Sequence, residues 1–298
     1  MAASRSGGRG RRRLRPHLDP TGANRLVLPD EPGAGVAHGR ERFEAALAAG
    51  PRDGARSQDE ETMVALAEAP VEGIGEVPYG SNAVFLVQLA VPDPHDPDQP
   101  MRAVYKPARG ERPLWDFPRR TLYLREAATY LVDAALDLGH VPPTALRDGP
   151  VGPGSMQLFI HAAESNPSAT QAEALEAQLK DVAMLDVLVN NADRKRSHLM
   201  VTADVRIAAI DNALTFLPYP RQRTALITLG GTPLPRSTAD RLRALNADAT
   251  RMTALRQRLS RLLSAREVEA FEGRVRELAE DPTYPALDDW DGRPFEWW

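Results

Sequence analysis

Two apolar runs open the regular part of the chain. "SNAVFLVQLAV" (Ser81 to Val91) is β-branched and aromatic-rich with Gly80 just ahead of it, and "RAVYKP" (Arg102 to Pro107) comes after the turn-rich loop "PDPHDPDQP". Composition and spacing predict neighbouring antiparallel strands. In "LYLREAATYLVDAALDLG", Ala127, Leu131, Ala134 and Leu138 recur at helical spacing and stop at Gly139, a helix C-cap, with "VPP" beyond. "GSMQLFIHA" (Gly154 to Ala162) reads as another strand. Thr170 and Glu173 have the spacing of a T-x-x-E capping box, and Leu175, Leu179, Val182 and Val189 carry a helical stripe into "NNADRKRSH". "HLMV", the turn "TADV" and "RIAAID" then form a small hairpin ending on Asp211. The C-terminal third offers Arg-rich amphipathic helices, "ADRLRALN" and "RLSRLLSAREVEAFEGRVREL", before the aromatic tail "RPFEWW".

Residues 1 to 58 lack this periodicity. "MAASRSGGRGRRRLRPH" holds six Arg and no acid, and the residues after it are punctuated by Gly and Pro, so the segment is expected to be a disordered, solvated tail, with one short helix in "ERFEAALAA". The basic start is not succeeded by the apolar stretch that a secretory signal requires. The 298 residues carry a net charge of -4, against a dedicated nucleic-acid binder. The absence of cysteine excludes disulfides, zinc-thiolate sites and thiol chemistry and agrees with a cytoplasmic location. No apolar run approaches the roughly 20 residues of a membrane-spanning helix.

The order helix, polar loop, hairpin, acid is that of a kinase catalytic centre. In H-R-D-L-x-x-x-N the Asp handles the acceptor hydroxyl, a residue five positions later holds a metal, and a further Asp after a hairpin holds metal on the phosphates. Asp193, His198 and Asp211 occupy those offsets, with Lys195 between the first two. Kinases also need a strand Lys paired with a helix Glu, and "AVYKP" and "LREAA" supply Lys106 and Glu126. Each match alone is weak. The chain has 34 Arg but three Lys, two of them Lys106 and Lys195, where a compact ammonium suits a phosphate.

"VYKPARGERPLWDFP", "RDGPVGPGSMQLFI", "NNADRKRSHLM" and "AIDNALTF" resemble an actinobacterial family of phosphatidylinositol 3- and 4-kinase-like proteins, over roughly residues 71 to 235. The resemblance implies a two-lobed, kinase-like fold with ATP in the cleft, Lys106 as phosphate lysine, Glu126 as its partner, and the segment from Gln157 through Phe159 to Glu164 as the hinge. The sequence departs from the wider pattern in three places. Lys195 and His198 stand in the positions of the His and Asn of D-R-H-x-x-N; Asn212 and Ala213 come after Asp211 where a Gly-containing pair is usual; and the nucleotide-covering loop "EVPYGSNA" has one Gly, leaving phosphate contacts to Ser81 and backbone N–H groups. Loss of the Gly after Asp211 is expected to stiffen that turn.

The expected protein is thus an α+β, two-lobed kinase-like chain, with a small antiparallel-sheet lobe over 59–162, a mainly helical lobe over 163–290 and an aromatic tail over 291–298. Its expected chemistry is phosphoryl transfer from ATP to an unknown lipid, protein or small-molecule acceptor. Asp193 and Lys195 are the catalytic pair, and Asp211 with His198 binds Mg²⁺ or Mn²⁺. An imidazole at position 198 favours Mn²⁺ and predicts weaker metal binding as pH falls through about 6.5. A pseudokinase or nucleotide-sensing scaffold, and an AMP transferase, are the alternatives. Arg109, Arg112 and Trp115 either pin the loop after Lys106 or read an acceptor; the pinning role is the expected one.

Overall fold

The computed structural model of the chain describes residues 57–78, 82–164, 166–288 and 291–294. The expected tail with its short helix, Ser81 and the end of the aromatic tail lie outside the described residues. The architecture is α+β and two-lobed. The first lobe is a five-stranded antiparallel sheet of order β1-β2-β3-β5-β4, built from β1 (Val71–Val77), β2 (Val84–Pro92), β3 (Pro100–Pro107), β4 (Thr144–Gly149) and β5 (Gly152–Leu158). Helices α1 (Ser57–Glu68) and α2 (Leu122–Ala135) belong to the same stretch of chain. The second lobe holds α3 (Ala169–Leu188), the hairpin β6 (Leu199–Val201) and β7 (Ile207–Ala209), and α4 (Arg236–Ala247), α5 (Ala249–Leu259) and α6 (Ala265–Glu280). No helix among the described residues is long and apolar enough to cross a membrane.

Strand alternation decides which way Lys106 points. Along β3, Met101, Ala103, Tyr105 and Pro107 are buried while Arg102, Val104 and Lys106 are only partly covered. The buried set joins Val87, Leu89 and Met156 in a core that Met63 and Leu66 of α1 complete. Lys106 therefore stands on the opposite face of the sheet from α1.

The end of β3 runs unusually close to its neighbour. A Cβ placed on Gly154, which pairs with Pro107, would lie 2.6 Å from the Lys106 carbonyl oxygen and 2.8 Å from Pro107 Cα. Backbone atoms cannot yield cheaply, so only glycine allows this approach. Gly154→Ala should displace the Lys106 strand end and cost about 1–3 kcal/mol, read by denaturant unfolding.

α2 is fixed on two sides by adjacent residues. Arg125 is fully buried; it donates to the Thr215 carbonyl and to the Glu267 carboxylate of α6, and its guanidinium lies 5.0 Å from the Phe117 ring centre. Glu126, one residue on, turns toward Lys106. The apolar face of α2, including Ala128, Leu131 and Val132, shares one large core with α3 and the C-terminal helices.

Several boundaries differ from those the sequence suggests. The capping box of α3 is Ser168 with Gln171, since the helix begins at Ala169 and Thr170 already lies inside it. β5 starts at Gly152 and ends at Leu158, short of Ala162. The long C-terminal amphipathic stretch is two helices, α5 and α6, because Ser264 forms a capping box with Glu267 and starts a new one.

Candidate active site

Three chain segments converge on Lys106. Its ammonium is ion-paired with Glu126 of α2 and lies 2.9 Å from Asp211 Oδ1, just after β7. The other Glu126 oxygen accepts the Asn212 N–H at 2.9 Å, which closes a ring joining strand, helix and hairpin. Glu126 is 1% exposed whereas Asp211 is 50% exposed, so the cluster is sealed behind and open in front. Asp211 has a φ of 56°, a left-handed conformation that costs a non-glycine residue about 1 kcal/mol or more and collects at functional sites.

The turn after Asp211 does not use the conformational freedom of the missing glycine. Ala213 lacks a positive φ, and its methyl packs with Phe117, Leu122 and Leu217. Asn212 is fully buried: its side-chain amide donates to the Ala209 carbonyl at 2.9 Å, and its side-chain oxygen accepts from Arg194 at 2.6 Å.

The second half of the cluster comes from the loop between α3 and β6. His198 Nε2 lies 3.4 Å from Asp211 Oδ2, and Lys195 Nζ lies 2.8 Å from Asp193 Oδ2. The polar crowd of Asn190 to His198 divides by direction. His198 meets Asp211 and Lys195 pairs with Asp193, while Asn190, Asn191 and Arg194 turn inward and hold the loop. Asn190 donates to the Leu217 and Tyr219 carbonyls at 2.8 and 2.7 Å. Asn191 donates to Asp186 Oδ1 at 3.0 Å and accepts the Asp193 N–H at 3.0 Å. Arg194, wholly buried, makes a forked contact with Asp186 and donates to the Ile210 carbonyl at 2.8 Å. One guanidinium thus ties α3 to the residues flanking Asp211.

Charge coupling mirrors the geometry. Burial alone would lower the Lys106 pKa, but the Asp211 and Glu126 carboxylates outweigh it and hold the ammonium firmly protonated. Lys106 in turn, against the effect of burial, holds the Asp211 carboxyl well below the ordinary range. Burial pushes His198 down to about 4, in spite of the Asp211 charge, so its ring is neutral near pH 6.5. The pH dependence expected from an ordinary histidine therefore moves to more acid conditions. Burial raises the Asp193 pKa, and Lys195 opposes that shift.

Among the described residues no group of three metal-ligating side chains occurs. Asp211 offers an oxygen donor on an exposed edge, whereas the buried His198 accepts the Lys195 N–H through Nδ1 at 3.4 Å, so that its Nε2 carries the proton toward Asp211 Oδ2 and would ligate a metal only as the other tautomer. A divalent ion there would take its remaining ligands from phosphates and water, the usual mode at nucleotide sites. The other expected contacts lie elsewhere. The buried Gln157 amide donates to Thr144 Oγ1 at 2.8 Å and is engaged within the sheet. Phe159 sits beneath the Arg102 guanidinium at 4.8 Å and meets the His161 ring edge-on at 5.0 Å.

No protein-family model matches the chain. It is similar to the crystal structure of the Golgi casein kinase with Mn/ADP bound, at 15% identity and a TM-score of 0.50 over 74% of each chain. It is also similar to the structure of hydra Fam20 with sugar, at 16% identity and a TM-score of 0.54, over 82% of this chain and 93% of that one. The fold is kinase-like. Protein Rv2133c of Mycobacterium tuberculosis is 30% identical over 275 residues, covering 80% of this chain and 95% of the relative, and the chain belongs to that protein's family.

Proposed function

We propose that the chain is an ATP- and divalent-metal-dependent phosphotransferase. The observation that carries this reading is the clasp of Lys106 between Glu126 and the half-exposed Asp211, which unites three separate segments. A phosphate-binding lysine held by a buried glutamate, beside an exposed metal-type aspartate, is what phosphoryl transfer requires. The use of a nucleotide with Mn²⁺ or Mg²⁺ is supported by the donor pair Asp211 and His198 and by the Mn/ADP of the similar Golgi casein kinase. Within this chemistry, the sequence segments around Lys106, Met156, Asp193 and Asp211 favour the phosphatidylinositol 3-/4-kinase-like class.

Each residue then has a task. Lys106 neutralises phosphate charge from a position that Glu126 fixes. Asp211 would hold the divalent ion, with His198 beside its carboxylate as a second ligand in the tautomer that frees Nε2, and the ion would supply positive charge against the phosphates. Asp193, its pKa raised by burial, accepts or orients the proton of the acceptor hydroxyl, and Lys195 beside it faces the transferring group. Such catalysis is mostly positioning and electrostatics, which explains the convergence of charged groups on so short a loop.

Asp193→Asn isolates the chemical step. It keeps the shape of the loop, since the backbone N–H of residue 193 still donates to Asn191. Phosphoryl transfer should fall by about 10²–10⁴-fold with ATP affinity nearly unchanged. Single-turnover transfer and calorimetric ATP titration check this; a variant transferring at the wild-type rate removes Asp193 from the mechanism.

A further inference from the structure

The turn from Asp211 to Phe216, which presents Asp211 to Lys106, is strained at both ends. Asp211 and Phe216 have φ of 56° and 64°, the left-handed region that non-glycine residues keep only where their surroundings over-determine them. Two adjacent residues of α2 grip this turn. Glu126 accepts the Asn212 N–H at 2.9 Å, and Arg125 donates to the Thr215 carbonyl. Thr215 Oγ1 in turn donates to the Asn212 carbonyl at 2.9 Å, which closes a ring of Glu126, Asn212, Thr215 and Arg125. All four residues are buried.

One face of α6 holds this ring in place. Glu267 and Phe271, one helical turn apart, both reach it. The Glu267 carboxylate accepts from the second arm of the Arg125 guanidinium, and the Phe271 ring packs on that of Phe216 with centres 5.9 Å apart. Burial would raise the Glu267 pKa, but the hydrogen bond and charge of Arg125 outweigh it, so the pair is ionic. From the loop 108–121 it is Phe117 that packs here, with the Arg125 guanidinium 5.0 Å from its ring centre. Trp115, of which the pinning role was expected, is 84% exposed.

We infer that Glu267 is a positioning residue for the candidate active site: through Arg125 it sets the turn that carries Asp211 and the Glu126 carboxylate that holds Lys106. A tie that only joined α2 to α6 would need no bond to the turn. Arg125 instead divides its two arms between Glu267 and Thr215, so the pull of Glu267 on the guanidinium fixes where the turn lies. Without that charge the guanidinium stays buried beside one carbonyl, a costly state from which it turns to other partners or to water. The turn then loses its hold at residue 215 and relaxes its strain, and Asp211 leaves its place against Lys106. The inference rests on the phosphotransferase reading for what Asp211 and Lys106 bind, whereas the positioning is a property of the unliganded chain.

Glu267→Gln tests it. The amide oxygen can still accept the Ser264 N–H, which Glu267 receives at 2.8 Å, so α6 keeps its cap, while the amide nitrogen turned to Arg125 sets a donor against a donor. In the unliganded protein, amide hydrogen exchange should quicken about ten-fold or more in the segment 210–217, as the loss of a charge-assisted bond implies, with little change in β2 and β3. Titration with Mn²⁺ and a non-hydrolysable ATP analogue should show binding weakened by a similar factor. Arg125→Lys, whose single ammonium cannot serve both Thr215 and Glu267, should do the same. Leu242→Ala, which opens a cavity in the same core from α4, controls for destabilisation alone: it should lower the Tm without singling out 210–217 and without weakening nucleotide binding. Unchanged exchange in 210–217, exchange quickened evenly along the chain as in Leu242→Ala, or local quickening with unaltered nucleotide affinity would overturn the assignment. Local quickening in a protein whose wild type binds no nucleotide would uphold the positioning and count against the phosphotransferase reading alone.

Discussion

Lys106→Met is expected to abolish stabilisation by ATP and divalent metal. Ligand at about 100 times its Kd adds roughly 2.7 kcal/mol to a native state that alone binds it. For a folded body of this size that is a rise in Tm of about 5–10 °C in the wild type, and none in the variant. The structure adds a second effect. Lys106 is the cation next to a Glu126 that is 1% exposed, so its removal strands a buried carboxylate and lowers unliganded stability by on the order of 3 kcal/mol. Asp211→Asn separates the two effects, because it leaves the Lys106–Glu126 pair in place and removes the exposed carboxylate. Its unliganded Tm should stay near that of the wild type while the nucleotide shift disappears. Thermal scans with and without ATP and Mn²⁺ check both; a shift surviving both substitutions moves the nucleotide elsewhere.

Arg194→Met should be among the most damaging single substitutions in the chain, although Arg194 faces away from the cleft. Arg194 and Asp186 are each fully buried, and the forked pair also supports Asn212, whose N–H holds Glu126. Losing the guanidinium leaves Asp186 as an uncompensated charge, at a cost of about 3–5 kcal/mol. Arg194→Lys should fare little better, since one ammonium cannot reproduce the fork to Asp186 together with the bonds to Ile210 and Asn212. The double change Asp186→Leu/Arg194→Met should recover much of the stability, because an apolar pair replaces a desolvated one, but not nucleotide binding, because Asn212 stays unsupported. Urea unfolding of the two single variants and the double variant measures this; a double variant as unstable as Arg194→Met would show that the buried charge is not the cause.

The sequence singles out Lys106, Glu126, Asp193, His198 and Asp211 by the order and spacing of a kinase-like motif, and the structure brings Lys106, Glu126, Asp211 and His198 into contact. The inward-facing half was not legible. Arg194 and Asn191 look like further members of a polar loop, and only their partners reveal a structural role. One signal was available: Asp186 is a lone acid in the apolar run "VAMLDVLV", where an unpaired charge is too costly to bury. The sheet was read in part. β2 is an apolar run broken only by Gln88 and β3 keeps an apolar residue at every buried position, but β1 reads "VEGIGEV" and β4 reads "TALRDG", whose glycines and charges dilute the pattern that marks a strand. The start of α3 was placed two residues late, because Ser168 with Gln171 offers the same capping-box spacing as Thr170 with Glu173.

Transfer of the terminal phosphoryl group of ATP, proposed for this site, is tested most directly by labelling. The protein is incubated with Mn²⁺ and either γ-labelled or α-labelled ATP, with a panel of lipid vesicles offered as acceptors and the chain itself assayed for self-labelling. Label from the γ position alone should reach a product, and Asp193→Asn should suppress it. Transfer of the α label would instead identify an AMP transferase, and nucleotide binding without transfer of either label would identify a nucleotide-sensing scaffold; both results contradict phosphoryl transfer by Asp193 and Lys106.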